Sequence, residues 1–518
     1  MAKSRPVYYV YFDVLNNKTE IYDGTTVNTI NGADFEQYIT GKNALCFVSS
    51  VKIVEQLYPN GKVASKRVVK VNKSVDDIEY SYNGIVYRSM SALLGNNGVD
   101  SLLEMYGGSS VTKAFETYLT KFNEKPEKVR YTLAKQVVDL FYGEIKEQLW
   151  RETYDNHRHI ITSMQMYTDM LAANKAGMLS DVYKKYFDNM GMWDISSAYP
   201  SVMVSDDKFP IGRVVSIGGD TKYKLSKVIK ALKAKEWCKI VFDGKIDGFE
   251  LFYDDLADMT AFEYYDLLLC NYNKTLTDIL NKIDYNTRVY ICRETGYLSD
   301  IFRQKIIKLY NEKSKQKKGT FERFITKTEI DMLYGKSIQT KNFTEFWQVK
   351  KYYQGRGDHY LTPEMGNHCS AKIRFLMFKA FDKTDGEYCD TDGIKSPYTE
   401  ENIKYFEEQN RIIMENNAKA GFPDCKIGTW DFEGKADQLL IFAPKCYVYN
   451  IDGDFEYKVA GVNVKDLKSV TDKIKVNKIE FHRRYGLACG YRYILTDKLN
   501  DKQLEYGWTY TIMDGDLM

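Results

Sequence analysis

The chain has 518 residues, 44% of them hydrophobic, and a formal net charge of +2, which is apolar area for several packed subdomains and excludes an intrinsically disordered chain. So small a net charge neither announces nor excludes a nucleic-acid partner, and local charge must decide. Nine cysteines without a Cys-x-x-Cys pair and only five histidines argue for reduced thiols in a cytoplasm and against a zinc site, and neither a signal-like N-terminus nor a membrane-spanning apolar run is present.

Residues 7–12, Val-Tyr-Tyr-Val-Tyr-Phe, alternate like a strand, and residues 44–48, Ala-Leu-Cys-Phe-Val, read as a buried one. Helical patterns follow at 101–118 and 131–150, so the N-terminal region is expected to be a mixed α/β domain. A helical stretch over 160–186 leads into Met192 to Ser201, where an apolar strand ends in a turn and then Pro200. Residues 213–296 read as α+β. Two helices, 301–316 and 321–335, are joined by Lys317-Lys318-Gly319-Thr320, a helical hairpin with glycine at its turn. The hairpin is rich in lysine, and Lys327, Asp331 and Tyr334 fall at i, i+4 and i+7, one stripe of one face.

Residues 381–394 read as two strands around a tight turn, centred on Tyr388-Cys389-Asp390-Thr391-Asp392-Gly393. The period of two then places Asp390 and Asp392 on one face, a pair able to hold a divalent metal, although Asp-x-Asp by itself is more often a solvated loop. A second basic stretch lies at 465–484. Two strand-end carboxylate sites, Asp194 and Asp390/Asp392, therefore flank a basic helical hairpin. Nucleotidyl transfer asks for this set: carboxylates from different strands for two divalent ions, and lysines for a triphosphate.

These residues resemble the motifs of family B DNA polymerases, most closely the protein-primed phage type. Asp194-Ile195-Ser196-Ser197-Ala198-Tyr199-Pro200 is similar to motif A, residues 327–335 (Lys-Thr-Glu-Ile-Asp-Met-Leu-Tyr-Gly) to motif B, and residues 388–393 to motif C. Lys445-Cys446-Tyr447 matches the Lys-x-Tyr element, and Thr362-Pro363 through Arg374 resembles a template-contacting motif. The resemblance implies an α+β fold: a right-hand polymerase of palm, fingers and thumb behind an N-terminal RNase H-like exonuclease-type α/β domain. It implies an exonuclease-like domain at 1–160, palm at 161–212, an insertion that contacts a terminal protein at 213–296, and fingers at 297–336. Palm with a shortened second insertion follows at 337–447, and a thumb-like region that grips duplex at 448–518.

It further implies that Asp194 and Asp392, with the Ile195 carbonyl, hold two Mg2+ ions, for which Mn2+ can substitute, while Asp390 tunes the site as a neighbour. Lys313 and Lys327 would bind the triphosphate, with Ser197, Tyr199 and Tyr334 around the nucleotide and Tyr199 excluding a 2′-hydroxyl. Lys445 and Tyr447 would hold the primer end, and Arg374 and Gly335 the DNA. The implied partners are a DNA primer-template, deoxynucleoside triphosphates and a terminal protein, with no membrane.

The chain departs from the family in places. Asp331 replaces the motif B Asn and can pair with Lys327, and Gly393 replaces the motif C Ser. In the exonuclease motifs Asp13 is kept, but Leu15 stands where Glu belongs, Ser49 replaces Asn, Ile53 replaces Asp and Lys135 replaces the third motif's acid, with nearby Asp139 a shifted alternative ligand. A retained fold without 3′–5′ proofreading is the expectation. A nucleic-acid-primed or primer-independent polymerase, and a non-catalytic scaffold for DNA or a priming protein, are the competing readings.

Overall fold

The computed structural model describes most of residues 6–459; the longer stretches outside the description are 69–74, 91–109, 122–140, 152–160, 247–259 and 460–518. The basic stretch at 465–484 lies outside the described residues, as do Leu15, Ser49, Ile53, Lys135 and Asp139. The chain divides into two compact units, Met1–Lys146 with Lys308–Met332, and Glu147–Ile307 with Leu333–Met518.

The first unit is built on strands β1 (Val7–Asp13), β2 (Lys18–Tyr22), β3 (Val27–Asn31), β4 (Leu45–Val48), β5 (Lys62–Val68), β6 (Val75–Tyr82) and β7 (Ile85–Ser89). They form one sheet in the order β3-β2-β1-β4-β7-β6-β5. All four residues of β4 are buried, and it pairs in parallel with both β1 and β7. A parallel strand covered on both faces has to be apolar throughout, which is why 44–48 is a continuous apolar run. Helix α1 (Val111–Lys121) lays Phe115 and Tyr118 over Tyr9 and Phe47, with the Phe47 and Phe115 rings 5.5 Å apart. Of the segment expected to be helical at 131–150, residues 141–149 are described, and they are helical. Phe324 and Ile325 pack on the same aromatic cluster, so the distal part of the helical hairpin groups with this unit.

The second unit opens with α2 (Met164–Ala172), shorter than the helix expected over 160–186. Gly177 and β8 (Met178–Leu179) intervene, and β9 (Lys185–Ile195) starts inside the expected helix. Long-range pairing overrode local periodicity there: β9 runs antiparallel to a strand of residues 430–443 along nearly its whole length. Helix α3 (Ala198–Val204) follows at once. The described residues of 213–296 are α+β, as read. Strand β10 (Phe209–Pro210) closes against β15 (Thr295–Gly296) around a small sheet of β11 (Val214–Ser216), β12 (Trp237–Val241), β13 (Ala261–Phe262) and β14 (Arg288–Cys292). Helices α4 (Thr221–Ala234) and α5 (Tyr264–Tyr272) belong to the same segment.

The helical hairpin is α6 (Asp300–Lys315) and α7 (Phe321–Ser337), with Arg323 donating to the carbonyls of Lys313 and Gln316 across the turn. Helix α8 (Phe346–Gln354) precedes the long, mostly buried α9 (Pro363–Lys383), which carries Pro in its first turn where no amide partner is needed. Helix α9 corrects one boundary: residues 381–383 are helical, and the strand pair begins only at β16 (Tyr388–Thr391) and β17 (Gly393–Pro397). After α10 (Glu400–Lys419), strands β18 (Trp430–Ala443), β19 (Cys446–Ile451) and β20 (Asp454–Val459) complete a sheet ordered β20-β19-β18-β9-β17-β16-β8, antiparallel throughout. Met190, Met192, Tyr388, Leu439 and Tyr447 form a core on one face. On the other, Trp193 stacks on Phe406 of α10 at 4.4 Å. Among the described residues no helix is long and apolar enough to cross a membrane.

Candidate active site

Asp194 is the penultimate residue of β9, on the face that carries Met190 and Met192. The strands beside it fix its neighbours, Gly393 of β17 on one side and Asp431 of β18 on the other. In the β16–β17 hairpin, Asp390 pairs with Gly393 and leaves Thr391 and Asp392 as a two-residue loop, with Thr391 at φ +64°. The Asp392 amide donates to the Asp390 carbonyl at 2.8 Å, and the Ile195 amide donates to the Asp392 carbonyl at 2.9 Å. Backbone bonds thus tie the loop to the end of β9 and bring Asp392 beside Asp194.

This geometry corrects the expectation that Asp390 and Asp392 share one strand face. The turn falls between them, so alternation does not carry across it. Asp390 accepts the Lys445 ammonium at 2.9 Å and the Thr391 hydroxyl at 3.1 Å. Asp392 instead faces the electrostatic field of Asp194. Gly393 suits the close approach there: a Cβ would lie 3.2 Å from Asp194 Oδ1, a tight contact.

Burial pushes the Asp194 carboxyl up to about 7, and Asp392, then Glu433, add to it, while Lys395 opposes and Asp431 contributes least. Glu433 sits at a β-bulge: the register of β18 on β9 slips between Phe432 and Gly434, and the extra residue is Glu433. Lys395 of β17 is 4% exposed. Burial lowers its pKa, countered by Glu433, Asp194 and Asp390. Among the described residues no group of three or more His, Cys, Asp or Glu is arranged to hold a metal. The donors that remain are the Asp194 and Asp392 carboxylates, hard oxygen ligands whose mutual repulsion a divalent cation would relieve, so they fit Mg2+ or Mn2+.

Beyond β9 the chain turns sharply. Ser196 donates its amide to the Thr429 carbonyl at 2.8 Å, and Ser197 takes φ +52° before α3 begins. The turn delivers Tyr199 onto Tyr334, rings stacked 3.9 Å apart at 12°. Burial raises the Tyr199 hydroxyl, with Tyr334 the next cause, so the ring stays a neutral apolar plate. Gly335, beside Tyr334, is exposed with open space around it.

Lys445 adopts φ +59° and donates its amide to the Tyr388 hydroxyl at 2.8 Å. Tyr447 is 7% exposed and meets Tyr388 edge-on at 5.5 Å, with the Lys395 ammonium 5.7 Å from its ring centre. The Lys-x-Tyr element is therefore fastened to the motif C hairpin. In the first unit, loss of solvent raises the Asp331 carboxyl, with Lys327 and then Lys313 pulling it back, so these three charges act on one another.

Arg374 requires a correction. It is 1% exposed, and its guanidinium holds Asp266 Oδ1 through Nε at 3.1 Å and Nη2 at 2.8 Å. A guanidinium so buried and already paired has no face for a template phosphate. Glu433, Asp431 and Lys395 are the charged groups around Asp194 that motif matching missed. Lys395 was within reach of the sequence, since a hairpin places it on the same face as Gly393 two residues earlier; the bulge that adds Glu433 has no comparable signal.

No family model matches the chain, and no curated protein matches it. Its fold is similar to solved structures of Phi29 DNA polymerase. The post-translocation binary complex with primer-template DNA gives a TM-score of 0.55 at 15% identity, covering 91% of this chain and 95% of that one. The ternary complex with primer-template DNA and incoming nucleotides gives 0.54 at 16%, covering 91% and 94%. The orthorhombic crystal form gives 0.56 at 14%, covering 91% and 95%.

Proposed function

We propose that this chain is a template-directed DNA polymerase that adds deoxynucleotides to a 3′-hydroxyl, in protein-primed replication of a phage or linear mobile element, without 3′–5′ proofreading. The observation that carries the reading is the meeting of Asp194 and Asp392 where β9 ends beside the turn of the β16–β17 hairpin. A fold similar to a polymerase solved with primer-template DNA and incoming nucleotides supports the same substrates.

Two Mg2+ ions, held by Asp194, Asp392 and the Ile195 carbonyl, would supply charge stabilisation for the attacking and leaving oxygens. The chain's own residues do the rest. The Tyr199–Tyr334 stack gives the incoming sugar a flat floor and leaves no space for a 2′-hydroxyl, with Ser197 at the turn before it. Lys313 and Lys327 neutralise the triphosphate, tempered by Asp331. Lys445, oriented by Asp390, meets the last phosphate of the primer, Tyr447 supports that strand from beneath, and the open surface at Gly335 lets DNA pass close to backbone. Residues 213–296 contact the priming protein.

The test is extension of a recessed DNA primer, and of a protein-linked hydroxyl, with Mg2+ and deoxynucleotides. The chain extends at least one of them, and Asp392→Asn slows incorporation by ~100-fold or more, since metal-borne charge stabilisation is worth several kcal/mol. No incorporation from any primer overturns the reading; extension of the DNA primer alone replaces the protein-primed form with a nucleic-acid-primed one.

A further inference from the structure

Helix α3, which delivers Tyr199, has only 7 residues and is held at both ends by groups outside it. At its start the Ser196 amide donates to the Thr429 carbonyl at 2.8 Å, and the Gly428 amide donates to the Ser196 carbonyl at 2.8 Å. Gly428 takes φ +84°, and a Cβ there would lie 2.9 Å from Ser201 Cβ, so the loop after α10 lies close against the helix. At its end stands Arg303, in the first turn of α6. Its guanidinium donates to the Val204 carbonyl from Nη2 at 2.8 Å and Nε at 3.3 Å, and to the Ser205 carbonyl from Nη2 at 3.4 Å. The last carbonyls of a helix have no partners within it and form its negative end, so a guanidinium suits them on both counts. Arg303 is 5% exposed, and its central carbon lies 5.2 Å from the ring centres of both Tyr297 and Phe422. Phe422 belongs to the same loop as Gly428, which Asn417 Nδ2 braces by donating to the Cys425 and Ile427 carbonyls at 2.8 Å and 3.0 Å. One loop thus meets α3 directly at its start and, through Arg303, at its end.

We infer that Arg303 is a positioning residue for sugar selection: by fixing the end of α3 it sets where the Tyr199 ring lies on Tyr334. That role rests on the polymerase reading, in which this ring is the floor beneath the incoming sugar. So short a helix moves as a rigid rod, and a displacement at Val204 reaches Tyr199 across about 7.5 Å of it. Exclusion of one hydroxyl depends on the exact place of the ring, and a misplacement of about 1 Å can cost a site about 100-fold. Arginine suits the post where lysine would not. Its planar fork meets two carbonyls at once and keeps its faces for aromatic rings, whereas an ammonium would hold the charge and lose both the fork and the stack.

Single-nucleotide incorporation by the full chain, on a primer-template with Mg2+, gives kcat/KM for a deoxynucleotide and for the matched ribonucleotide. Their ratio is blind to general destabilisation, because the fraction of folded enzyme cancels. Arg303→Met, which keeps an apolar stem and removes the guanidinium, lowers the preference for the deoxynucleotide by about 3-fold or more, part of what a pocket gains by rejecting one small group. Phe422→Ala, which leaves α3 and the carboxylates unaltered, shifts the ratio the same way. The double variant shifts it no further than Arg303→Met alone, since both act through one guanidinium. The role is refuted if the folded variants keep the parental ratio, or if the two effects add in full. Should Arg303→Met fail to fold, Phe422→Ala decides by itself, a lowered ratio supporting the role and an unchanged one overturning it. A parent that incorporates neither nucleotide overturns the polymerase reading instead. The crystal structure of a folded variant then decides for Arg303: its role stands if Tyr199 has left the 3.9 Å stack on Tyr334, and falls if that stack is unchanged.

Discussion

A Cβ at position 393 would stand 3.2 Å from the Asp194 carboxylate, so the absence of a side chain there eases the approach of the hairpin to the end of β9. The same economy of space governs Tyr199. Its ring lies flat on Tyr334 at 3.9 Å, and the proposed exclusion of a 2′-hydroxyl depends on that ring rather than on its hydroxyl. Tyr199→Val is therefore expected to raise use of ribonucleotides relative to deoxynucleotides by about 10-fold or more, the scale on which a pocket discriminates one small group. Single-nucleotide incorporation with matched ribo- and deoxynucleotides measures it, and an unchanged ratio removes Tyr199 from sugar selection.

Between elements, α5 and α9 are joined by the buried pair of Asp266 and Arg374. Removing one partner of such a pair strands a charge and costs about 3–5 kcal/mol. Arg374→Ala should accordingly lower the melting temperature sharply and leave the salt slope of DNA binding of the folded protein as it was; a reduced slope with normal stability would return Arg374 to the template. Glu364, in the first turn of α9, is fully buried, and burial pushes its carboxyl up to about 7 against the pull of Lys239. A carboxyl whose pKa is higher folded than unfolded holds its proton more tightly in the native state, so stability falls as pH rises from about 4.5 to about 7. Glu364→Gln abolishes that fall: it changes little near pH 4 and stabilises by up to about 3 kcal/mol above pH 7. Thermal melts of both proteins across that range decide it, and a pH-independent difference would remove Glu364 as the cause.

At this scale sequence and structure part company in an instructive way. The helical hairpin was legible because glycine and lysines mark its turn and both arms keep a 3.6-residue period. The 160–186 segment was read correctly over Met164–Ala172 and misread beyond Gly177, where partners more than 200 residues away make residues 178–179 and 185–195 strands. Asp390 and Asp392 were legible as a pair, but not their separate fates, because a hairpin turn one residue early sends one to Lys445 and the other to Asp194.

Over the whole molecule, the likeness to Phi29 DNA polymerase extends across 91% of the chain, more than the second unit alone holds. The proposed loss of proofreading is a claim about the acids missing from the exonuclease motifs, not about the fold. The purified chain should leave a labelled single-stranded 3′ end intact in Mg2+ over times in which it extends a primer; steady degradation abolished by Asp13→Ala would show that exonuclease chemistry survives.

The residues alone carried the proposed chemistry as an expectation: carboxylates at strand ends, lysines on a helical hairpin and the spacings between them are local patterns that survive in one dimension. Tertiary structure decided which of those groups meet. Register between β9, β17 and β18 placed Asp431, Glu433 and Lys395 around Asp194, and burial paired Arg374 with Asp266. Pairing register and burial are sums over residues distant in sequence, and no local window contains them.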